Sequence, residues 1–198
     1  MTHWKVDIKR PFQIVSMDFV IPLPKSRRGN TALLLFRCTF TGFVVAKPMS
    51  DTTAFKVAQV FDECIYRWFG APSLINHDRD PRFMSKVVQA FAEMMQSRSR
   101  ATPSYRPKAN GQEERSVKTV MQSVKGYAED PLQQDWNEIA EHLVFAINNS
   151  MDTTRKEMPF YLAHGWDASS TMKVMTTSLR HGTSKQSEGL AWRREVNR

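Results

Sequence analysis

Cysteine is scarce: Cys38 and Cys64 are the only two thiols in 198 residues, too few for a disulfide framework. Five scattered histidines add no C-x2-C or H-x3-H spacing, so no structural zinc is expected. Long apolar runs are missing as well. Nothing approaches the roughly 18 consecutive residues of a membrane helix, and residues 1–7 lack the apolar stretch of a secretory signal. The expectation is a soluble, intracellular chain with no membrane partner. With 8 glycines and 10 prolines, the composition is neither collagenous nor that of a disordered polymer.

What is present is 41% hydrophobic and 24% charged residues over the length of one ordinary domain, enough to bury a core. Lysine and arginine outnumber the acids 28 to 20, and the net charge of +8 favours a polyanionic partner such as nucleic acid. Two segments carry the excess. Between Arg98 and Lys125 seven basic residues face two acids, and from Met172 onward six face two. Either could also be an ordinary solvated face.

Hydrophobic patterning predicts three strands joined by short links, over residues 13–21, 31–36 and 43–48, with Asp18 the one charge in the first. A helix follows the capping residues 50–53, with Ala54, Val57, Ala58, Phe61, Ile65 and Trp68 on one face before Gly70 and Pro72 end it. A short strand over 73–77 precedes Asp78, a helix spans 85–96 with Val88, Phe91 and Met95 inward, and residues 98–102 form a last strand. Residues 103–111, with two prolines and a glycine, read as a mobile loop. Helices over 112–128 and 134–148 complete the pattern, and residues 167–189 are expected to be poorly ordered. An antiparallel start followed by alternating helix and strand describes an α/β fold with a mixed sheet.

Three acids then stand out. Asp18 interrupts an apolar strand, where a lone carboxylate is costly. Asp78 sits just past the C-terminal end of a buried strand, the edge at which open α/β sheets place their sites. Glu114 follows the flexible loop and shares one helix edge with Lys118 and Lys125. Carboxylates from separate elements could hold divalent cations, and an all-oxygen donor set selects Mg²⁺ or Mn²⁺. Taken singly, each has a plainer reading: an edge position for Asp18, a turn former for Asp78 or Asp80, a first-turn acid for Glu114.

The local wording adds a resemblance. Val15-Ser-Met-Asp-Phe19, His77-Asp-Arg-Asp-Pro-Arg-Phe83 and Tyr105-Arg-Pro-Lys-Ala-Asn-Gly-Gln-Glu-Glu-Arg115 resemble the three signature blocks of retroviral and LTR-retrotransposon integrase catalytic cores, most of all the Ty3/Gypsy type. Between Asp78 and Glu114 lie 35 residues, the D,D-35-E spacing of that family. Asp135-Trp136, Ala146 to Asn149 and Met158 to Gly165 are similar to its closing helices and Pro-Phe turn. The resemblance implies an RNase H-like fold, a five-stranded mixed sheet flanked by helices.

It further implies that Asp18, Asp78 and Glu114 are the catalytic residues and hold two Mg²⁺ (or Mn²⁺) ions, with Asp18 bridging. Two such ions, about 3.5–4 Å apart, serve an in-line phosphoryl displacement that trims DNA 3′ ends and joins them to target DNA. Tyr105, Lys108, Asn110, Gln112, Arg115 and Lys118 are the implied DNA contacts, and a homo-oligomer acting in the nucleus is the implied setting. Cys38 stands where relatives commonly carry Asp, and Arg106 where His is usual. The family's upstream zinc module and downstream basic domain are not seen, so a fragment or the product of a decayed element is expected. The expected division is an N-terminal extension over 1–10, the catalytic core over 11–166 and a basic tail over 167–198. A catalytically inactive, integrase-derived DNA-binding or dimerising domain is the alternative, and a nuclease or transposase of the same fold a third reading.

Overall fold

A computed structural model describes residues 8–101, 115–130 and 134–168. Strands β1 (Ile14–Val20), β2 (Ala32–Cys38) and β3 (Val44–Met49) form the antiparallel start, and β4 (Leu74–His77) and β5 (Arg98–Ala101) add in parallel on the other side of β1. The sheet order is β3-β2-β1-β4-β5, five strands of mixed direction, so β1 is central and bonded on both flanks. The mixed α/β architecture expected from the sequence is the one observed.

Strand alternation sorts the core into two clusters. Val15, Met17 and Phe19 of β1 and Leu34, Phe36 and Cys38 of β2 pack under helices α1 (Ala54–Phe61) and, beyond β4, α3 (Lys86–Met94). On the opposite face Val20, Leu33 and Leu35 meet Val120, Val124 and Ala128 of α4 (Arg115–Ala128), together with Trp136 and Ala140 of α5 (Trp136–Asn148). Side-chain oxygens cap the first-face helices, Thr53 accepting from the Lys56 N–H and Ser85 from the Val88 N–H. Fully buried Trp136 donates its indole N–H to the Pro24 carbonyl at 2.8 Å, pinning α5 to the loop after β1. Asn148 exchanges two 2.8 Å bonds with the backbone of Val44, so an amide side chain satisfies part of the edge strand β3.

One expectation is corrected here. Trp68 is 77% exposed instead of facing the core. A π-helical segment, Asp62–Tyr66, interrupts the helix before its last short turn, α2 (Arg67–Phe69). The added residue delays the phase of that turn, so Phe69 takes the inward place and stacks on Phe12 at 3.5 Å between ring centroids. The last helix among the described residues, α6 (Pro159–His164), starts at the expected Pro-Phe turn and ends at Gly165, whose left-handed φ of 79° suits a residue without a Cβ. The expected loop over 103–111, residues 112–114 and the tail from 169 onward lie outside the described residues.

Candidate active site

The parity of β1 decides where its one charge points. Because Val15, Met17 and Phe19 supply the α1/α3 side, Asp18 falls with Val20 on the side covered by α4. Across the parallel ladder Met17 pairs with His77, and one step further sets Asp18 beside Asp78, the first residue past β4. The two acids thus meet at the C-terminal ends of adjacent parallel strands.

Burial and neighbouring charge both bear on Asp18. Its carboxyl is raised to about 6, first by burial and then by the negative charges of Asp78 and Asp80. The Phe19 N–H, donating to Oδ1 at 2.8 Å, and the Lys125 ammonium on α4 oppose the rise. Lys125 therefore lies on the edge of α4 that faces the acids. Such a carboxyl carries negative charge at neutral pH only against its surroundings, and a cation would relieve it.

Asp78 and Asp80 are distinguished by what already holds them. Asp80 accepts from the backbone N–H of Arg82 at 2.9 Å and from its guanidinium through both oxygens, which lowers its carboxyl below the ordinary range. Asp78 is exposed, and its Oδ1 accepts the Asp80 N–H at 3.0 Å. The carboxylate open to a ligand is that of Asp78. Behind it, buried His77 holds the strand end: Nδ1 lies against the Asp78 carbonyl, which can only accept, so Nδ1 carries hydrogen and Nε2 faces the Ser99 hydroxyl at 2.9 Å.

The structure therefore brings together Asp18 and Asp78. Glu114, immediately before α4, lies outside the described residues, as do Tyr105, Lys108, Asn110 and Gln112. Arg115 opens α4, and Lys118 is exposed on it. Among the described residues no group of three His, Cys, Asp or Glu side chains is arranged to hold a metal. The donors that are described fit a hard divalent cation: two carboxylates, one of them raised by burial and by its neighbour's charge, with no soft ligand beside them. An open cleft of about 510 Å³ beside α3 and β5, lined by His77, Met84, Glu93, Arg98 and Ser99, contains neither acid and lies on the other side of the sheet.

Asp80 forms a turn, as its plainer reading has it, its carbonyl accepting the Phe83 and Met84 N–H groups, and Arg82, to which the sequence pattern gave no role, clamps its carboxylate. The signal was available in the spacing, since an Asp two residues before an Arg in a turn can be clamped by it. Cys38, expected as a departure from relatives, is a buried acceptor of the Phe12 and Thr41 N–H groups, away from the acids.

Comparison with known proteins agrees with this geometry. Over residues 8–107 the chain matches the family model described as integrase core domain. It is 33% identical over 127 residues to the Gag-Pol polyprotein of woolly monkey sarcoma virus, an alignment covering 64% of this chain and 8% of that one. To the transposon Tf2-3 polyprotein of Schizosaccharomyces pombe it is 28% identical over 157 residues, 79% of this chain and 12% of that one. The chain thus spans about a tenth of the length of these relatives. Among solved structures, the HTLV-2 integrase catalytic core domain in complex with magnesium superposes with a TM-score of 0.59 at 18% identity, covering 78% of this chain and 98% of that one. An intasome of simian T-cell lymphotropic virus, in complex with a PP2A regulatory subunit, gives a TM-score of 0.62 at 22% identity over 79% of this chain and 55% of that one. With a sheet of the RNase H-like order, two acids at adjacent strand ends and the family model matched over half its length, the chain belongs to the integrase core domain family of retroviruses and LTR retrotransposons.

Proposed function

We propose that this chain is the catalytic core of a retrotransposon-type integrase, a polynucleotidyl transferase that trims element DNA 3′ ends and joins them to target DNA. The observation that carries the reading is the juxtaposition of Asp18 and Asp78, close enough for the charge of Asp78 to oppose ionisation of Asp18. Asp18 and Asp78, with Glu114 from the segment before α4, would hold two Mg²⁺ or Mn²⁺ ions. Bound there, such ions activate a water or a 3′-hydroxyl and stabilise the leaving oxygen of an in-line displacement. The chain's own contribution is placement. Asp18 is fixed by a strand bonded on both sides, and Asp78 by the turn that follows β4.

DNA is the partner on this reading. Arg115 and Lys118, with Tyr105, Lys108, Asn110 and Gln112 from the preceding segment, would line its path. Phosphate contacts of this kind give affinity without sequence information. Exposed Phe55 and Trp68 on the α1–α2 side offer apolar surface to a second copy, in keeping with a homo-oligomer, and the nucleus is the setting this reading calls for.

The test compares the parent with Asp78→Asn on labelled DNA ending in the element's own terminal sequence. Mg²⁺-dependent nicking and strand transfer by the parent, both lost in the variant, are expected. Equal cutting by both proteins overturns the assignment, and salt-sensitive DNA binding without any metal-dependent turnover returns the chain to a non-catalytic binding role.

A further inference from the structure

We propose that Asp80 and Arg82 form a positioning pair that holds the Asp78 and Asp18 carboxylates in mutual register for a divalent cation. The inference rests on the metal-dependent reading given above. Its basis is an unbroken chain of contacts from one acid to the other. Asp78 Oδ1 accepts the backbone N–H of Asp80 at 3.0 Å. The Asp80 carboxylate, its side chain only 12% exposed, takes the Arg82 guanidinium as a two-pronged fork, with Nε at 2.7 Å from Oδ1. The same guanidinium lies 4.7 Å from the centroid of the Phe19 ring. Phe19 in turn donates its backbone N–H to Asp18 Oδ1 at 2.8 Å. Phe83 stacks on the Phe19 ring at 5.1 Å, so the turn after β4 is fastened to the end of β1 by two neighbouring side chains.

Each part suits that task. A bidentate fork fixes direction as well as distance, which a lysine ammonium cannot do. A guanidinium seated on an aromatic ring keeps its charge while tying two strand ends together. The Asp80 carbonyl also accepts the Phe83 and Met84 N–H groups at 3.0 and 3.1 Å, closing the turn from the backbone side. Without the fork, Asp80 would lose its orientation, and with it the N–H that steadies Asp78.

Electrostatics and positioning predict opposite signs for one substitution, which makes the proposal testable. Arg82 is a cation near the site, and its removal through charge alone would tighten the binding of a divalent cation. Removal of a positioning residue weakens it, by about 10-fold where an outer partner of a ligand is lost. The experiment is calorimetric titration of Mn²⁺ into the 198-residue chain, comparing the parent with R82A, R82K, D80A, D80A/R82A and D78N, each checked by thermal melting.

About 10-fold weaker Mn²⁺ binding in R82A is expected, with R82K between R82A and the parent, and with the charge-neutral double variant no weaker than R82A because the pair acts as a unit. Unchanged or tighter binding in R82A overturns the proposal, as does a double variant whose loss is the sum of two independent losses. If R82A does not fold, R82K decides alone: it keeps the charge and lacks the fork, so binding equal to the parent is refuting. A parent that binds no Mn²⁺, or a D78N that binds as the parent does, refutes the metal site itself and is thereby told apart from failure of the positioning pair.

Discussion

Replacing Asp18 by Asn should stabilise the metal-free protein while removing the metal-dependent chemistry proposed for it. The folded carboxyl titrates at about 6, against about 3.9 for an ordinary aspartate. That difference corresponds to roughly 3 kcal/mol lost in keeping the folded site ionised, and partial access to water trims it to about 2 kcal/mol. The sign follows from proton binding. Between about pH 4 and 6 the folded chain holds more protons than the unfolded chain, so the parent loses stability as pH rises through that window and stays at its lower level above it. The amide introduced by D18N cannot ionise, yet its side-chain oxygen can still accept the Phe19 N–H. The gap between D18N and parent should therefore be close to zero below pH 4 and about 2 kcal/mol above pH 7, or roughly 4–8 °C in Tm for a chain of this size. Melting curves in EDTA from pH 3.5 to 8 measure it. A variant no more stable than the parent at pH 8, or a gap independent of pH, refutes the reasoning. Added Mg²⁺ should raise the Tm of the parent and leave that of D18N unchanged, since only a binding-competent native state gains from ligand.

Truncating Trp136 to Ala removes a fully buried indole and its 2.8 Å bond to Pro24, at a cost of about 3–5 kcal/mol in urea unfolding; a loss below about 1 kcal/mol would show that α5 is not anchored there. On the DNA side, Lys118→Ala should weaken binding to unrelated duplexes alike and lower the slope of log K against log salt by about 1. A sequence-dependent loss would instead give Lys118 a base contact.

Strands β1 to β3 were legible in the sequence as short, largely apolar runs between turn residues, whereas β4 is shorter and half polar and β5, Arg98–Ala101, has no apolar run of its own; Asp18 was conspicuous because every neighbour from Ile14 to Val20 except Ser16 is apolar. The three blocks around Asp18, Asp78 and Glu114, with 35 residues between the last two acids, carry the resemblance to the family. What could not be read was phase and partnership. A regular 3.6-residue period puts Trp68 inward, whereas the π-helical segment gives that place to Phe69, and no residue type announces such a segment. The pairing of Asn148 with Val44 joins positions 104 residues apart, beyond any local pattern. The clamp of Asp80 by Arg82 is local, but its importance depends on Phe19 from another strand.

The placement of Asp18 gives a physical reason for a costly charge on the central strand. Along β1, Val15, Met17 and Phe19 are buried in one core cluster, and Val20 in the other. Backbone pairing to Leu35 on one side and the parallel ladder to β4 on the other leave the main chain at Asp18 no room to turn its carboxylate away from Asp78. On a loop, the two acids could separate and solvate, and their oxygens would have to be gathered afresh for each cation. Held on the sheet, they repel each other at fixed positions, and on the proposed metal-dependent reading the free energy given up in the metal-free state would be recovered on binding a cation. The instability measured as a pH-dependent Tm and the affinity measured by Mn²⁺ titration are thus two readings of one constraint, so a substitution that loosens the strand end, such as R82A, should reduce both together.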